Sequence, residues 1–165
     1  PHPSPQSTWK APPLEMVKIN VDGAFSAETG KGGWGLICRD SSAEIQFAAA
    51  GMGQNYLSAL HAGTDALRVA VALSDQLGVG RVIFETDSLS LANAMTSTEF
   101  GYALLGNLFR ELKLKLITDF NQASVVHVIR DCNKPAHLLA VLGTGLVNGG
   151  DYQWFDSYPD DVTLL

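Results

Sequence analysis

Apolar and polar residues alternate in three successive segments near the start of the chain, and this alternation predicts three strands. Residues 16–25 (MVKINVDGAF) show it most clearly, with the period of two that is typical of a half-buried strand. A glycine-rich turn leads to a second apolar segment at 33–40 (GWGLICRD), and a short turn leads to a third at 44–50 (EIQFAAA). Because these connections are short, the three strands are expected to form an antiparallel meander.

The spacing of apolar residues becomes helical after residue 57. Residues 57–77 contain no proline and carry apolar side chains at helical spacing, which predicts a helix of about five turns that ends at Gly78. The elements predicted after it are a strand at 82–85 (VIFE), a helix at 86–95, a helix at 103–118, a strand at 124–130 and a helix at 134–146.

These elements together predict an α/β fold built on a five-stranded mixed sheet flanked by helices. Three antiparallel strands are followed by two strands that the helical crossovers make parallel to the first. Proline is concentrated in residues 1–13, which are predicted to be a linker or an extended arm. Residues 14–150 then form the domain, and residues 151–165 a C-terminal tail with no recognisable period. The first residue is a proline, which suggests a piece of a longer polypeptide.

The composition is that of one globular domain. Of the 165 residues, 46% are hydrophobic and 17% are charged, which is enough to bury a single core. The formal net charge of −6 opposes tight binding to a phosphate backbone. The sequence shows no apolar run long enough to indicate a membrane span and no signal segment that would indicate secretion. The cysteines, Cys38 and Cys132, are expected to be buried thiols, and the protein to be intracellular, in the nucleus or the cytoplasm.

Two aspartates lie at positions where a carboxylate suggests a function, one inside an apolar strand and one at an edge of the sheet. Asp22 interrupts an apolar strand, where a charge is costly unless it is paired, hydrogen-bonded or bound to a metal. Asp87 follows the strand at 82–85, at the edge of the sheet where ligands bind in such folds. Each also has a structural interpretation, since Asp22 could face solvent and Asp87, like Ser88, could cap the next helix. The pattern alone leaves both interpretations open.

Five sequence blocks occur in an order that resembles the type 1 ribonuclease H family. The blocks are NVDGAF, GWGLICRD, SALHAGTDAL, ETDSLSLANAM and RDCNKPAHLLA. They are most similar to the plant branch related to the ribonuclease H domains of non-LTR retrotransposons, and with a leading Trp-x-x-Pro-Pro they extend over residues 9–146. The resemblance implies a ribonuclease H-like domain at 14–150. In active members it implies cleavage of the RNA strand of RNA–DNA hybrids by two Mg²⁺ ions held by four carboxylates.

The resemblance also implies that two of the four carboxylates are retained. Asp22 matches the first-strand aspartate, which bridges both metals, and Asp87 matches the aspartate after the fourth strand. Gly63 stands where the family has its helix glutamate, so that this carboxylate is lost. His137 stands at the fourth position, where relatives often have aspartate. Asp22, Asp87 and His137 are therefore the predicted catalytic residues, and the two aspartates are the predicted metal ligands.

No neighbouring side chain is expected to replace the lost glutamate. Asp65 lies two positions after Gly63 and His61 lies two before it, so both should point away from the site. Glu85 shares a strand face with Asp87 and is a candidate for an additional carboxylate that supports the site. His137 has two interpretations. It is either satisfied by backbone or solvent in the first turn of a helix, or it has a weak role in metal binding or proton transfer.

The sequence offers few side chains that would hold nucleic acid. Arg110 and Lys113 share one helix face and are candidates for contacting nucleic acid, although a solvated helix face is the plainer explanation. His127 is expected on the surface of a strand. Trp34 and Phe47 are expected in the core rather than as platforms for stacking bases.

Two functional hypotheses follow. In the first, the domain derives from an RNA–DNA hybrid endonuclease, its incomplete metal site impairs or abolishes catalysis, and it is retained to bind nucleic acid weakly or to bind a protein partner. In the second, it is a working Mg²⁺-dependent ribonuclease H. The missing glutamate, His137 and the net charge of −6 favour the first. Mg²⁺ is then expected to bind weakly or not at all, and Mn²⁺ is the other candidate ion.

Overall fold

A computed structural model describes residues 8–97, 105–146, 150–155 and 157–163, which form one mixed sheet with helices on both faces. The strands are β1 (Val17–Phe25), β2 (Gly32–Arg39), β3 (Ile45–Gly53), β4 (Arg81–Thr86), β5 (Gln122–His127) and β6 (Asp151–Trp154). The helices are α1 (Ala59–Gln76), α2 (Leu89–Thr96), α3 (Gly106–Thr118), α4 (Lys134–Thr144) and α5 (Asp160–Thr163), with a 3₁₀ turn at Arg130–Cys132. Within the described ranges, no helix has the length and apolar character that crossing a membrane requires.

The strand order of the sheet is β5-β4-β1-β2-β3-β6. β1, β2 and β3 pair antiparallel, whereas β4 pairs parallel with β1 and β5 pairs parallel with β4. Helices connect β3 to β4 and β4 to β5, as parallel pairing requires. The predicted α/β class, the meander and the direction of the fourth and fifth strands are therefore confirmed.

The sheet has one strand more than the five that were predicted. β6, in the segment predicted to be a tail, pairs antiparallel with β3 and places Trp154 opposite Ala48. Trp154 is half-buried and packs against a cluster that includes Ile37 and Leu139. A strand of four residues with three of them exposed is too short to show a period, so no alternation marks it in the sequence. Its pairing covers an edge of β3 that would otherwise have unpaired backbone groups.

β5 ends earlier than predicted. The strand stops at His127, and the backbone N–H of Val128 makes a last hydrogen bond to the Thr86 carbonyl oxygen at 2.9 Å. Thr86 is the end of β4, so the chain has no further strand to pair with and turns away from the sheet. Arg130 consequently begins the 3₁₀ turn before α4. His127 is exposed, in agreement with the expectation from the sequence.

The main core lies between one face of the sheet and helices α1, α2 and α3. Its fully buried side chains include Ile19, Leu67 and Phe84, each of which stabilises the fold by roughly 1.5–3 kcal/mol through burial. α4 covers the opposite face over β1, β2 and β3. Its close approach depends on small residues, because a Cβ atom on Gly143 would lie 2.2 Å from the carbonyl oxygen of Gly51.

The residues predicted to be interior are buried. Trp34 and Phe47 belong to the main core, which excludes them as surfaces for stacking bases. Cys38 and Cys132 are buried free thiols. Burial raises the pKa of the Cys38 thiol to about 12, so this side chain behaves as a small apolar group rather than as a nucleophile.

The N-terminal arm is packed on the sheet from Trp9 onward. The Arg39 guanidinium lies over the Trp9 ring, 3.7 Å from the ring centroid. The Lys18 ammonium donates a hydrogen bond to the Lys10 carbonyl oxygen at 2.8 Å. Residues 1–7 of the predicted arm lie outside the described residues. The part that is described contacts the sheet through Trp9 and Lys10.

A buried polar network beneath the arm fixes the start of α4. The Asn20 side chain accepts a hydrogen bond from Arg39 and donates to Glu85 and Asn133, at distances of 3.1 to 3.2 Å. Asn133, the residue before α4, donates to the Val21 carbonyl oxygen at 3.0 Å. Asn20 and Asn133 are fully buried, where an unsatisfied polar group would cost about 1–3 kcal/mol. The network therefore holds α4 next to the part of β1 that carries the first aspartate.

Replacing Trp9 by alanine is expected to lower the free energy of unfolding by about 2 kcal/mol, because it removes aromatic burial and the cation–π contact with Arg39. Urea unfolding measures the change. Leu14→Ala is the matched control, since Leu14 lies in the same segment but is 79% exposed, and it should change stability by less than about 0.5 kcal/mol. Equal effects of the two substitutions would contradict the inclusion of the arm in the folded unit.

Candidate active-site cleft

The four positions that the sequence analysis matched to a metal site lie in one cleft, where β4 ends beside β1. The cleft has a volume of about 320 Å³, and its lining includes Asp22, Gly63, Asp87 and His137. Asp22 and His137 are 115 positions apart in the chain. The fold therefore brings together residues that are far apart in the chain and that only the resemblance of the sequence blocks had assigned to one site.

Strand register places the two aspartates next to each other. Val21 of β1 pairs with Thr86, the last residue of β4, so Asp22 and Asp87 are the next residues on two adjacent parallel strands. The Ser88 side chain caps α2 by accepting a hydrogen bond from a backbone N–H of the first turn at 3.1 Å. Ser88 is thus the capping residue, and Asp87 lines the cleft.

Close contact between α1 and β1 brings Gly63 into the cleft. A Cβ atom on Gly23 would lie 2.3 Å from the carbonyl carbon of Ala62, so a glycine is required where the helix meets the strand. Gly63 follows Ala62 and lines the cleft. A Cβ atom on Gly63 would meet only Leu91 Cδ2, at the ordinary contact distance of 3.8 Å. A Cβ atom at position 63 is therefore accommodated without a clash.

His137 is paired with Asp22. Its Nδ1 atom lies 2.9 Å from Oδ2 of Asp22, and the backbone N–H of Gly23 donates to the other carboxylate oxygen at 2.9 Å. The His137 side chain is half exposed, whereas the Asp22 side chain is 13% exposed. The backbone N–H of His137 donates to the Asn133 carbonyl oxygen, which places the histidine in the first turn of α4. The Nδ1 atom of the ring thus has the aspartate as its hydrogen-bond partner.

The Asp22 carboxyl group is harder to ionise than an ordinary aspartate. Burial, followed by the negative charge of Asp87, raises its pKa above the usual 3.8, while His137 and the backbone N–H of Gly23 oppose the shift. Ionisation of this carboxyl group therefore costs stability in the folded state.

Asp22→Asn is accordingly expected to stabilise the folded protein at neutral pH. Above the folded-state pKa the ionised carboxyl group destabilises the fold, and below about pH 3.8 the effect vanishes because the group is protonated in both states. Urea unfolding between pH 3 and pH 8 should show that the free energy of unfolding of the variant exceeds that of the parent, and that this difference increases as the pH rises. Asp75→Asn, at an exposed position of α1, should change stability little at any pH. A variant less stable than the parent at pH 7 would contradict this prediction.

Arg130 is a cleft residue that the sequence analysis missed. Its Nε atom lies 3.5 Å from Oδ2 of Asp87, whose side chain is 12% exposed, while the Arg130 side chain is 83% exposed. An ion pair with one partner so exposed contributes less than about 1 kcal/mol. The sequence analysis placed Arg130 at the end of a strand, and no spacing rule connects it to Asp87. Arg130 pairs with Asp87 because β5 ends at His127 and the chain turns before it reaches Arg130.

The two polar neighbours of Gly63 in α1 have partners outside the cleft, in agreement with the sequence analysis. The Asp65 carboxylate accepts a hydrogen bond from the Tyr56 hydroxyl at 2.6 Å and pairs with Arg68 at 2.7 Å. The Nδ1 atom of His61 accepts a hydrogen bond from the backbone N–H of Leu57 at 3.1 Å. Neither side chain replaces the missing carboxylate.

Three further candidates from the sequence also lie outside the lining of the cleft. Glu85 is buried beside Lys18, 3.3 Å from its ammonium, in a separate crevice of about 200 Å³. Arg110 donates a hydrogen bond to a neighbouring asparagine of α3, and Lys113 donates to the Ser97 carbonyl oxygen at the end of α2. The structure therefore places Glu85 away from Asp87, and it gives both basic residues local partners.

The donors in the cleft do not fit a centre for two Mg²⁺ ions. Such a centre needs several anionic oxygen ligands, and the cleft offers the carboxylates of Asp22 and Asp87. Both oxygens of Asp22 are already engaged, and Asp87 is paired with Arg130. Within the part of the chain that the structure describes, no three His, Cys, Asp or Glu side chains are grouped so that they could hold a metal ion. The predicted metal ligands adjoin each other without completing a ligand set.

The mixed sheet and its flanking helices have the ribonuclease H-like α/β fold. The family model described as reverse transcriptase-like matches residues 20–143, well over half of the chain. The chain belongs to this reverse transcriptase-like family. No curated protein matches the sequence.

Several solved ribonucleases H are similar to this chain. The ribonuclease H1 of the archaeon Halobacterium salinarum is 21% identical with a TM-score of 0.66, and the alignment covers 78% of this chain and 96% of that one. A ribonuclease H1 isolated from compost is 18% identical with a TM-score of 0.72, covering 79% and 96%. The N-terminal ribonuclease H domain of a Mycobacterium tuberculosis protein is 19% identical with a TM-score of 0.68, covering 78% and 93%. At these identities the similarity shows the fold alone.

Proposed function

We propose that this chain is a ribonuclease H-like domain that derives from an RNA–DNA hybrid endonuclease and cleaves hybrids very slowly or not at all. The main observation that supports this proposal is the presence of a glycine at position 63. Gly63 lines the cleft with Asp22 and Asp87 but supplies no carboxylate at the position where the family resemblance places a glutamate. The proposal includes an origin in the plant branch related to non-LTR retrotransposons and an intracellular location, in the nucleus or the cytoplasm.

The chemistry of the remaining donors supports weak binding of divalent cations. Mg²⁺ prefers oxygen ligands, and the fourth position offers the imidazole nitrogen of His137 instead. This imidazole is hydrogen-bonded to Asp22, so the two groups satisfy each other. Losing two of four anionic ligands lowers the affinity for both ions, and a loss of about 4 kcal/mol of transition-state stabilisation slows a reaction by about a thousandfold. Weak binding of Mg²⁺ or Mn²⁺ and a severe loss of rate are expected.

A working Mg²⁺-dependent ribonuclease H is the second candidate function. The observation in its favour is the register of β1 and β4, which sets Asp22 and Asp87 side by side at the start of α2. A compost ribonuclease H1 with the same fold has been solved in complex with an RNA/DNA hybrid. For this chain, hybrid binding is proposed to be weak because its net charge is −6 and, among the residues that the structure describes, Arg130 is the only arginine or lysine in the lining of the cleft.

The proposal is tested by incubating the chain and its Asp22→Asn variant with a labelled RNA–DNA hybrid in Mg²⁺ and, separately, in Mn²⁺. The expected result is that cleavage by the chain stays within about tenfold of the Asp22→Asn background, because a loss of about 4 kcal/mol of transition-state stabilisation leaves little rate to detect. Cleavage that exceeds this background by more than about tenfold and disappears in EDTA would overturn the proposal in favour of the second candidate. Circular dichroism of both proteins serves as the control for folding.

A further inference from the structure

The two edges of the sheet differ in how open they are to a further strand. The strand order places β6 at one edge and β5 at the other. β6 has four residues and begins with the charged Asp151, and both properties discourage pairing with another strand. β5 has six residues, QASVVH, with no proline and no Lys, Arg, Asp or Glu. Its register with β4 is regular from Gln122 to His127, so no bulge bends it away from a partner.

The backbone of β5 has hydrogen-bonding groups that point away from the sheet. The backbone N–H of Gln122 donates to the Gly80 carbonyl oxygen at 3.2 Å. The backbone N–H of Val128 donates to the Thr86 carbonyl oxygen at 2.9 Å. Because alternate residues of a strand bond to the same neighbour, the even-numbered residues of β5 bond to β4. The residues whose N–H and C=O groups face the open side are therefore Ala123, Val125 and His127. Within the described ranges, no strand pairs with these three residues.

The open side of β5 is complementary to itself. Its three outward residues are spaced evenly about Val125, so a two-fold axis at Val125 sets the strand antiparallel to the same strand of a second copy. Val125 then pairs with Val125 of the second copy, and Ala123 pairs with His127. Each pair exchanges both backbone hydrogen bonds, which gives about six in all. Since β4 already holds both strands extended, this pairing costs less conformational entropy than binding a flexible peptide.

We propose that two copies of this chain associate by antiparallel pairing of their β5 strands, which joins the two sheets into one. On the face of the sheet away from the main core, Ser124 of one copy lies opposite Val126 of the other. Both side chains are exposed and uncharged, so the pairing opposes no like charges along the strand. A two-strand contact is small, and the dissociation constant is expected to be about 10–100 μM.

The dimer is separate from the proposed function. Among the described residues that line the cleft, none belongs to β5. Pairing at this edge therefore leaves the cleft accessible, whether or not it holds a metal ion. Cleavage of hybrids and association of the chain are measured independently, so the failure of one proposal does not decide the other.

Sedimentation equilibrium of the full chain, up to about 500 μM, tests the association. His127→Pro removes an outward N–H and keeps the pairing with β4, and Val126→Lys adds a charge of the kind that protects natural edge strands. Each is expected to raise the dissociation constant at least about tenfold. Val141→Lys is the matched control for Val126→Lys. Val141 is 48% exposed and Val126 is 38% exposed, but Val141 belongs to α4, which packs on β1, β2 and β3. This control should associate like the parent.

Disulfide cross-linking tests the register of the two strands. Ser124 and Val126 of opposite copies form a pair without mutual hydrogen bonds, in which the side chains are closest. A mixture of Ser124→Cys and Val126→Cys should therefore form a covalent dimer at least about tenfold faster than either variant alone. The parent chain is the control, because its own thiols, Cys38 and Cys132, are buried.

Three outcomes would overturn this proposal. The first is a chain that remains monomeric up to about 500 μM, well above the expected dissociation constant. The second is a dimer that Val126→Lys and a folded His127→Pro variant both leave unchanged. The third is a mixture of the cysteine variants that cross-links no faster than each variant alone. A monomeric chain that binds extended peptides at β5 would assign the edge to another protein and would equally refute the dimer.

Discussion

Gly63→Glu is expected to raise the rate of RNA–DNA hybrid cleavage by at least about 100-fold over the unmodified chain, which corresponds to about 2.7 kcal/mol of transition-state stabilisation. The substitution adds a third carboxylate to the cleft that already contains Asp22 and Asp87. Three anionic ligands bind a divalent cation far better than two. The rate should depend on Mg²⁺ or Mn²⁺ and should fall to background in EDTA.

The structure explains why this substitution should be tolerated. Apart from its own helix, a Cβ atom on Gly63 would meet only Leu91 Cδ2 within 4 Å, at the ordinary contact distance of 3.8 Å. Replacing a glycine inside a helix also stabilises the helix, by up to about 1 kcal/mol for alanine and less for glutamate. The first carbon of a side chain at position 63 is therefore accepted without a clash.

Gly63→Gln is the matched control for Gly63→Glu, since glutamine has nearly the same size and no charge. It should remain at the background of Asp22→Asn, because an amide does not supply the anionic oxygen that Mg²⁺ requires. If a folded Gly63→Glu variant also remains at background, the missing glutamate is not the main defect. His137→Asp added to Gly63→Glu would then show whether the fourth position limits the reaction.

Gly23→Ala is expected to lower the free energy of unfolding by about 3 kcal/mol, because the added Cβ atom would lie 2.3 Å from the Ala62 carbonyl carbon and 2.5 Å from the Gly63 backbone nitrogen. Backbone atoms cannot move aside as the end of a flexible side chain can. α1 must shift away from β1, which also moves Gly63 away from Asp22. Urea unfolding measures the loss of stability.

Gly63→Ala is the matched control for this clash. It adds the same methyl group at a residue whose backbone nitrogen belongs to the contact but whose own Cβ atom would have room, and it removes a glycine from a helix interior. Stability should therefore rise, by up to about 1 kcal/mol. A Gly23→Ala variant as stable as the parent would contradict the inference that the contact between α1 and β1 requires a glycine.

The close contact between α1 and β1 at Gly23 places Gly63, which has no side chain, in the same cleft as the carboxylates of Asp22 and Asp87. Asp22 is hydrogen-bonded to His137 and Asp87 is ion-paired with Arg130, and both partners come from the segment between β5 and the first turn of α4. The buried network of Asn20 and Asn133 holds that segment in place. The cleft is thus stabilised by the protein's own side chains.

Much of the fold could be predicted from the sequence because its signals are local. The alternation in residues 16–25 and the helical spacing in 57–77 reflect which face of each element is buried, and β1 and α1 form there. The order of the five blocks related Asp22, Gly63, Asp87 and His137 to one site before any contact was known, and all four line one cleft.

Other features escaped prediction because they depend on contacts between distant parts of the chain. β6 has four residues on the edge of the sheet and shows no alternation, so only the pairing with β3 reveals it. Arg130 reaches Asp87 because β5 ends with β4 and the chain turns there. The requirement for glycine at position 23 comes from a helix that begins more than thirty residues later.

The sequence by itself determined the class of fold and the positions of the main strands and helices, because these follow from neighbouring residues and from the order of the blocks. The tertiary structure alone decided that His137 is paired with Asp22 and that Arg130 is paired with Asp87. The physical reason is that strand register and close helix packing, rather than sequence spacing, set the distances between side chains from different elements.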